Sequence, residues 1–406
     1  MATGSGLDAQ LGLAAETTYG TYTVPSRFIE FTSESLKRQK TTIQGGGLRA
    51  GGQYERSSRR VITTRHGKGA LAFDFTTTGM GLLLKTATGN STITAGSSTT
   101  VSTTVAVTPG NQVTLVAVPV VGQVLGVDTA GSYEQVTVTA VAGNVATVTP
   151  AFVLGHAVST PVTINGGPTV FTQVHTPGSL RGNSISVQVG RPTAASAVEP
   201  FSYIGCKVED IDISVAKNGL AVMTAALLAR DELTLGGQGS PVGPALAVAN
   251  YAAGAQVFSF LGGGLTLNGV SVAACEKASF KLTNPYKADR FYLSAGGLMA
   301  EPLTNAWRKI SGSLETEFID RTTVYDLYAA DANVGIGLSF IGTTPIVGTQ
   351  YLPTLNINVP GGKLDGEAPS VGGPDVLKLV APYVGLTPAA GGAEYMITLA
   401  SADTTF

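Results

Sequence analysis

The sequence predicts a mainly β fold: tandem β-sandwich or barrel units, each with one flanking helix, plus an inserted small β-module. Three observations predict it. Most of the 406 residues fall in short runs where apolar residues alternate with Thr, Ser or Gln, bounded by Gly, Pro, Asn and Asp, as antiparallel strands and their turns read. A strand-to-helix switch occurs twice. Residues 90–168 also differ in composition from both flanks.

Taken in order, residues 1–24 form an N-terminal arm without a basic region ahead of an apolar core, so no signal peptide is expected. A first domain, 25–235, opens with the strand FIEFTSES (28–35) and continues into a Gly- and Arg-rich loop, QGGGLRAGGQYERSSRR (44–60). In GALAFDFTTTGMGLLLKTATG (69–89), Leu71, Phe73 and Phe75 alternate as one face of a strand, and Met80, Leu83, Leu84 and Ala87 then recur at helical spacing. A helix over 76–88 is expected, started near Thr76 to Thr78 and ended by Gly89.

Residues 90–168 lack Lys and Arg, hold only Asp128 and Glu134 as acids, and place two strands around Gly143-Asn144; they read as a β-module inserted in a surface loop. Strands resume with SISVQVG (184–190) and KVEDIDISVA (207–216), and a Gly-, Pro- and Ala-rich link covers 236–256. A second domain, 257–406, contains KASFKL (277–282), LNINV (355–359) and a second switch in GSLETEFIDRTTVYDLYAADA (312–332), with a helix expected over 320–331. Aligned without gaps on 69–89, its Gly312, Leu314, Phe318, Leu327 and Ala330 match Gly69, Leu71, Phe75, Leu84 and Ala87, which points to an internal duplication.

Charged residues are 13 % of the chain and mean hydropathy is +0.24, with 52 glycines. So little charge on a protein of this size predicts that much of its surface is covered by self-assembly. Net charge is −2, so wholesale nucleic-acid binding is not implied, yet Lys37, Arg38, Lys40, Arg49, Arg56, Arg59, Arg60, Arg65 and Lys68 cluster around the single acid Glu55. With only Tyr54 as an interleaved aromatic, this segment lacks a base-stacking platform and is better read as pairing with an acidic neighbour. Cys206 and Cys275 read as small buried hydrophobes, and no apolar window is long enough for a membrane span.

Chemistry is hard to find. His66, His156 and His175 have no metal-pair spacing, and no nucleophile elbow, phosphate loop or dinucleotide fingerprint occurs. Glu209 with Asp212, Glu315 with Glu317 and Asp365 with Glu367 can be paired on paper, but Glu315 and Glu317 alternate as a solvated or lumen-facing stripe, and Asp231-Glu232 reads as a strand-end turn. No catalysis, cofactor or metal is expected.

The order of GLDAQLGLAAETTYGTY (6–22), FIEFTSESL with GGLRAGG after it, FDFTTTGMGLLLKTATG, FTQVHTPGSL (171–180), PFSYIGCKVED (200–210) and EPLTNAWRKISGSLETEF (301–318) resembles the major tail tube proteins of long-tailed bacteriophages, those of actinobacterial siphophages in particular. The resemblance covers nearly the whole chain apart from 90–168, which is similar to β-modules decorating phage tails. It implies a virion protein, assembled in the host cytoplasm, whose sheets join into a closed barrel around a lumen for double-stranded DNA, which passes without specific binding.

The resemblance further implies that Arg49, Arg56, Arg59 and Arg60 contact the adjacent ring, that the arm orders on stacking, and that the insert lies on the tube exterior. Glu209, Asp210, Asp212, Glu315 and Glu317 are the candidates for the lumen, which is expected to be acidic or neutral. Tape measure, tail terminator and distal tail proteins are the implied partners, with no membrane. Two copies per chain of a unit that the family arranges sixfold imply a trimer with pseudo-sixfold symmetry; the alternative is a hexamer. A carbohydrate-binding tail adhesin is the competing function, disfavoured by a single tryptophan, Trp307.

Overall fold

The computed structural model describes residues 4–105, 110–193, 197–234 and 243–406, apart from 367, 370, 372 and 375. Glu367 and residues 236–242 of the expected link thus lie outside the described residues. The chain forms two compact units: Met1–Ser91 with His175–Phe340 and Asn356–Ile397, and Thr92–Val174 with Ile341–Leu355 and Thr398–Phe406.

In the first unit, the first half runs β1 (Gln10–Ala15), β2 (Lys37–Gln44), β3 (Arg60–Asp74), α1 (Gly81–Thr88), β4 (Ile185–Pro192), β5 (Val198–Ala216) and β6 (Val222–Ala229). The second half runs β7 (Gly263–Leu267), β8 (Cys275–Thr283), β9 (Lys309–Glu317), α2 (Tyr325–Ala329), β10 (Val334–Ile341), β11 (Thr354–Leu364) and β12 (Lys378–Gly385). Element order is the same in both, and so is pairing: β1 pairs with β4 as β7 pairs with β10. The remaining strands form one antiparallel sheet ordered β2-β3-β6-β5-β8-β9-β12-β11, the first half in its first four places and the second half in the same internal order after it.

Alternation gives this sheet a closed face and an open one. Leu71, Phe73, Met223, Ile211, Phe280 and Leu314 are at most 1 % exposed, each contributing about 1.5–3 kcal/mol by leaving water. β5 also belongs to a second layer, where Tyr203 and Phe201 pair with β4 and with the strand Asp231–Thr234. It turns between the layers at Gly205, whose φ of +60° is left-handed and whose absent Cβ would stand 2.8 Å from Arg230 Cβ.

Both expected switches are present, but the helices are shorter. Thr76 Oγ1 donates to the Thr78 carbonyl and Gly79 turns at φ +89°, so α1 starts only at Gly81; it stops at Gly89, as expected, in the left-handed conformation. Asp320 accepts from the Thr323 amide, which leaves a turn before a five-residue α2. Within the described part of the N-terminal arm, residues 10–20 are held by the rest of the chain. Leu11 and Leu13 are fully buried in β1, and the Glu16 carboxylate accepts from the Gly20 and Gly205 amides and the Ser184 and Ser186 hydroxyls, all at 2.8 Å.

The second unit holds a six-stranded sheet whose hairpin turns at Gly143-Asn144 as expected. Its core gathers Val113, Leu125, Val127, Val136 and Phe152. A further cluster of Val170, Ile346, Tyr351 and Ala400 packs with Val124, so the compact unit is larger than 90–168.

Candidate assembly surfaces

Where the halves meet, β5 pairs with β8, Asp212 facing Lys281 and Ser214 facing Ser279. The loop 284–308 between β8 and β9 then folds back over the first half. Arg308 donates to the Ala87 carbonyl at 2.9 Å and to those of Thr88 and Gly178 at 3.2 Å, supplying charged donors to the last carbonyls of α1. It also meets Asn284 Oδ1 at 2.8 Å and the Tyr395 hydroxyl at 2.9 Å. From the same loop, Glu301 lies 2.7 Å from the fully buried Lys207 Nζ, which donates in addition to the Leu180 carbonyl at 2.6 Å. Burial pulls the Lys207 pKa down against the opposing pull of Glu301; for Glu301 the Lys207 and Gly182 hydrogen bonds outweigh burial and hold its carboxyl below the usual range.

The open face of the sheet carries every acid expected at the lumen. Asp210 and Asp212 alternate with buried Ile211 and Ile213, and Glu315 and Glu317 flank buried Thr316. Glu209 sits where the β5–β6 register shifts, and it meets Lys68 at 2.9 Å. Between the acids stand small or uncharged residues, among them Ala70, Ala72, Thr224, Ser279 and Ser313, and lysines oppose the acids across strands, Lys281 against Asp212 and Lys277 against Glu315. Burial raises the Asp212 carboxyl while Lys281 pulls it back. Charge on this face is therefore largely compensated.

The basic segment divides in two. Near the sheet, Arg65 meets Asp231 at 3.2 Å and Arg38 donates to the Glu232 carbonyl, while Asp231 itself is 1 % exposed. Asp231-Glu232, expected as a strand-end turn, instead opens a strand and supplies buried counter-charges, because β2 and β3 bring two arginines beside it. At the tip, Arg49, Arg59 and Arg60 are exposed and Arg56 half-buried, and among the described residues no acid lies within ion-pair distance of them. The hydrogen bonds of residues 45–59 close within the hairpin, as from the Gly45 amide to the Arg59 carbonyl and from Gln44 Nε2 to the Arg56 carbonyl. Leu48 and Tyr54 stand 102 % and 89 % exposed on it. Among the described residues, 45–59 make no hydrogen bond or ion pair outside the hairpin.

A family model described as phage tail tube protein matches residues 6–385. The chain belongs to the phage tail tube protein family. It is a structural protein of the virion tail that self-assembles into a tube. A search of the curated proteins finds no match. Sequence reading missed Lys207, Glu301 and Arg308; the signal present was the near-repeat of GCKVED (205–210) in GGKLDG (361–366), which marks Lys207 as part of the duplication.

Proposed function

We propose that three copies of this chain close a ring with pseudo-sixfold symmetry, and that the rings stack into a conduit for double-stranded DNA. The observation that supports it is the sheet order: two halves with the same internal order, joined edge to edge at β5 and β8. A sheet ending in β2 and β11 has edges that need partners, and repeating the internal joint between copies consumes them.

In this reading the open face lines the lumen, with Glu209, Asp210, Asp212, Glu315 and Glu317 set among lysines so that no strong basic field holds the phosphates. Arg49, Arg56, Arg59 and Arg60 reach acids of the adjacent ring. Residues 25–235 and 257–406 supply the two tube units, the tape measure protein occupies the lumen during assembly in the host cytoplasm, and terminator and distal tail proteins cap the ends. The chain acts by assembly, without catalysis. Mass per length of purified tubes, divided by ring spacing, tests the count: three chains of 41.3 kDa per ring are expected, and six would overturn it.

A further inference from the structure

The duplication extends to the residue that locks the internal joint. Lys207 faces Leu228, which faces Lys68; Lys363 faces Val384, which faces Ser311. Lys68 and Ser311 directly precede Gly69 and Gly312, the first matched pair of the repeat, so Lys207 and Lys363 hold the same place in the two halves.

Their surroundings differ. The Lys207 side chain is fully buried under Glu301 of the loop 284–308, whereas Lys363 keeps 22 % exposure and, among the described residues, pairs with Asp331, itself 83 % exposed. The first-half counterpart of the loop 284–308 is 45–59, which projects free of its own chain and carries one acid, Glu55, with no ion-pair partner among the described residues. A second position agrees. Gly297 of the loop 284–308 lies against Thr63 and Thr64, its carbonyl accepting from the Arg65 amide at 2.9 Å; the repeat places Trp307 at the position of Thr64, and Trp307 is 91 % exposed.

We infer that Glu55 of one copy pairs with Lys363 of its neighbour in the same ring, with the loop 45–59 covering Trp307 there. The inference rests on the reading of the ring as a repetition of the internal joint. The loop is then fixed sideways at Glu55, and its arginines are left to face the next ring. Charge complementarity selects the occupant: a lone acid from a basic loop joins the exposed Asp331 at a lysine whose twin is buried under an acid.

The test is a Glu55→Cys, Lys363→Cys double variant with Cys275→Ser, assembled into tubes, oxidised and run on a denaturing gel without reductant. Linked dimers and a closed trimer, with no larger species, are expected. Absence of crosslinks, or a ladder without limit, overturns the inference, since the second outcome ties rings axially. A ladder ending at the hexamer upholds the pairing and overturns the threefold count. Should the cysteine variant fail to assemble, charge exchange decides: Glu55→Lys and Lys363→Glu are each expected to cut tube yield roughly tenfold and to restore it together, and failure of the pair to recover counts against the contact.

Discussion

The two hairpin loops occupy equivalent places in the two halves and do opposite things. Residues 284–308 are used inside the chain, where Glu301 covers Lys207 and Arg308 closes α1, whereas residues 45–59, also charged, make no ion pair and no hydrogen bond beyond their own hairpin among the described residues. In the proposed ring, one loop is a joint completed within the chain and the other is the same joint completed by a neighbouring copy.

The largest expected effect lies at Arg308. Arg308→Ala removes charged hydrogen bonds to the Ala87, Thr88 and Gly178 carbonyls and to Asn284 and Tyr395, each worth about 1.5–3 kcal/mol, and a net loss of more than about 3 kcal/mol is expected in denaturant unfolding of the unassembled chain. Glu301→Gln, which leaves the buried Lys207 with neutral acceptors only, is expected to cost about 3 kcal/mol by the same measurement. Glu55→Gln sharpens the contrast: unfolding of the unassembled chain stays within about 0.5 kcal/mol, as for an exposed surface change, while tube yield falls.

A smaller effect distinguishes the halves by pH. His175 lies in the strand Phe171–Pro177, between α1 and β4, which has no second-half counterpart; it is fully buried, with Nδ1 2.7 Å from Ser91 Oγ. Burial pushes its pKa down to about 3. The unfolded chain therefore takes up the proton first, so stability is complete above pH 6.5 and falls by about 1.4 kcal/mol per pH unit toward pH 3. His175→Gln is expected to flatten that slope in unfolding measured from pH 7 to 5. The smallest expected effect on the fold belongs to charge reversal of Arg56, Arg59 and Arg60 together: melting is unchanged, tubes shorten, and unchanged tube length would remove these arginines from the axial contact.

Much of this was legible in the residues because alternation is a local property. Leu71, Phe73 and Phe75 announced their buried face, and Glu315 and Glu317 their alternating stripe, whereas the face of Glu209, Asp210 and Asp212 was left open by the sequence because a register shift interrupts the alternation there. What was not legible depends on contacts far apart in sequence. That Asp231 would serve Arg65, that Glu301 would serve Lys207, and that the arm would be held by Glu16 are facts of register between distant strands, which no local period encodes. The helix starts were misplaced for a local reason of another kind: threonines before α1 and α2 bond into turns and delay the first helical residue.

In the proposed ring, neighbouring chains repeat the joint that each chain makes within itself, and a cryo-EM map of the assembled tube is the direct test. Three chains per ring are expected, with β11 of each beside β2 of the next and Glu55 at Lys363 across the boundary. Six identical chains per ring, or a boundary formed by other strands, would contradict it.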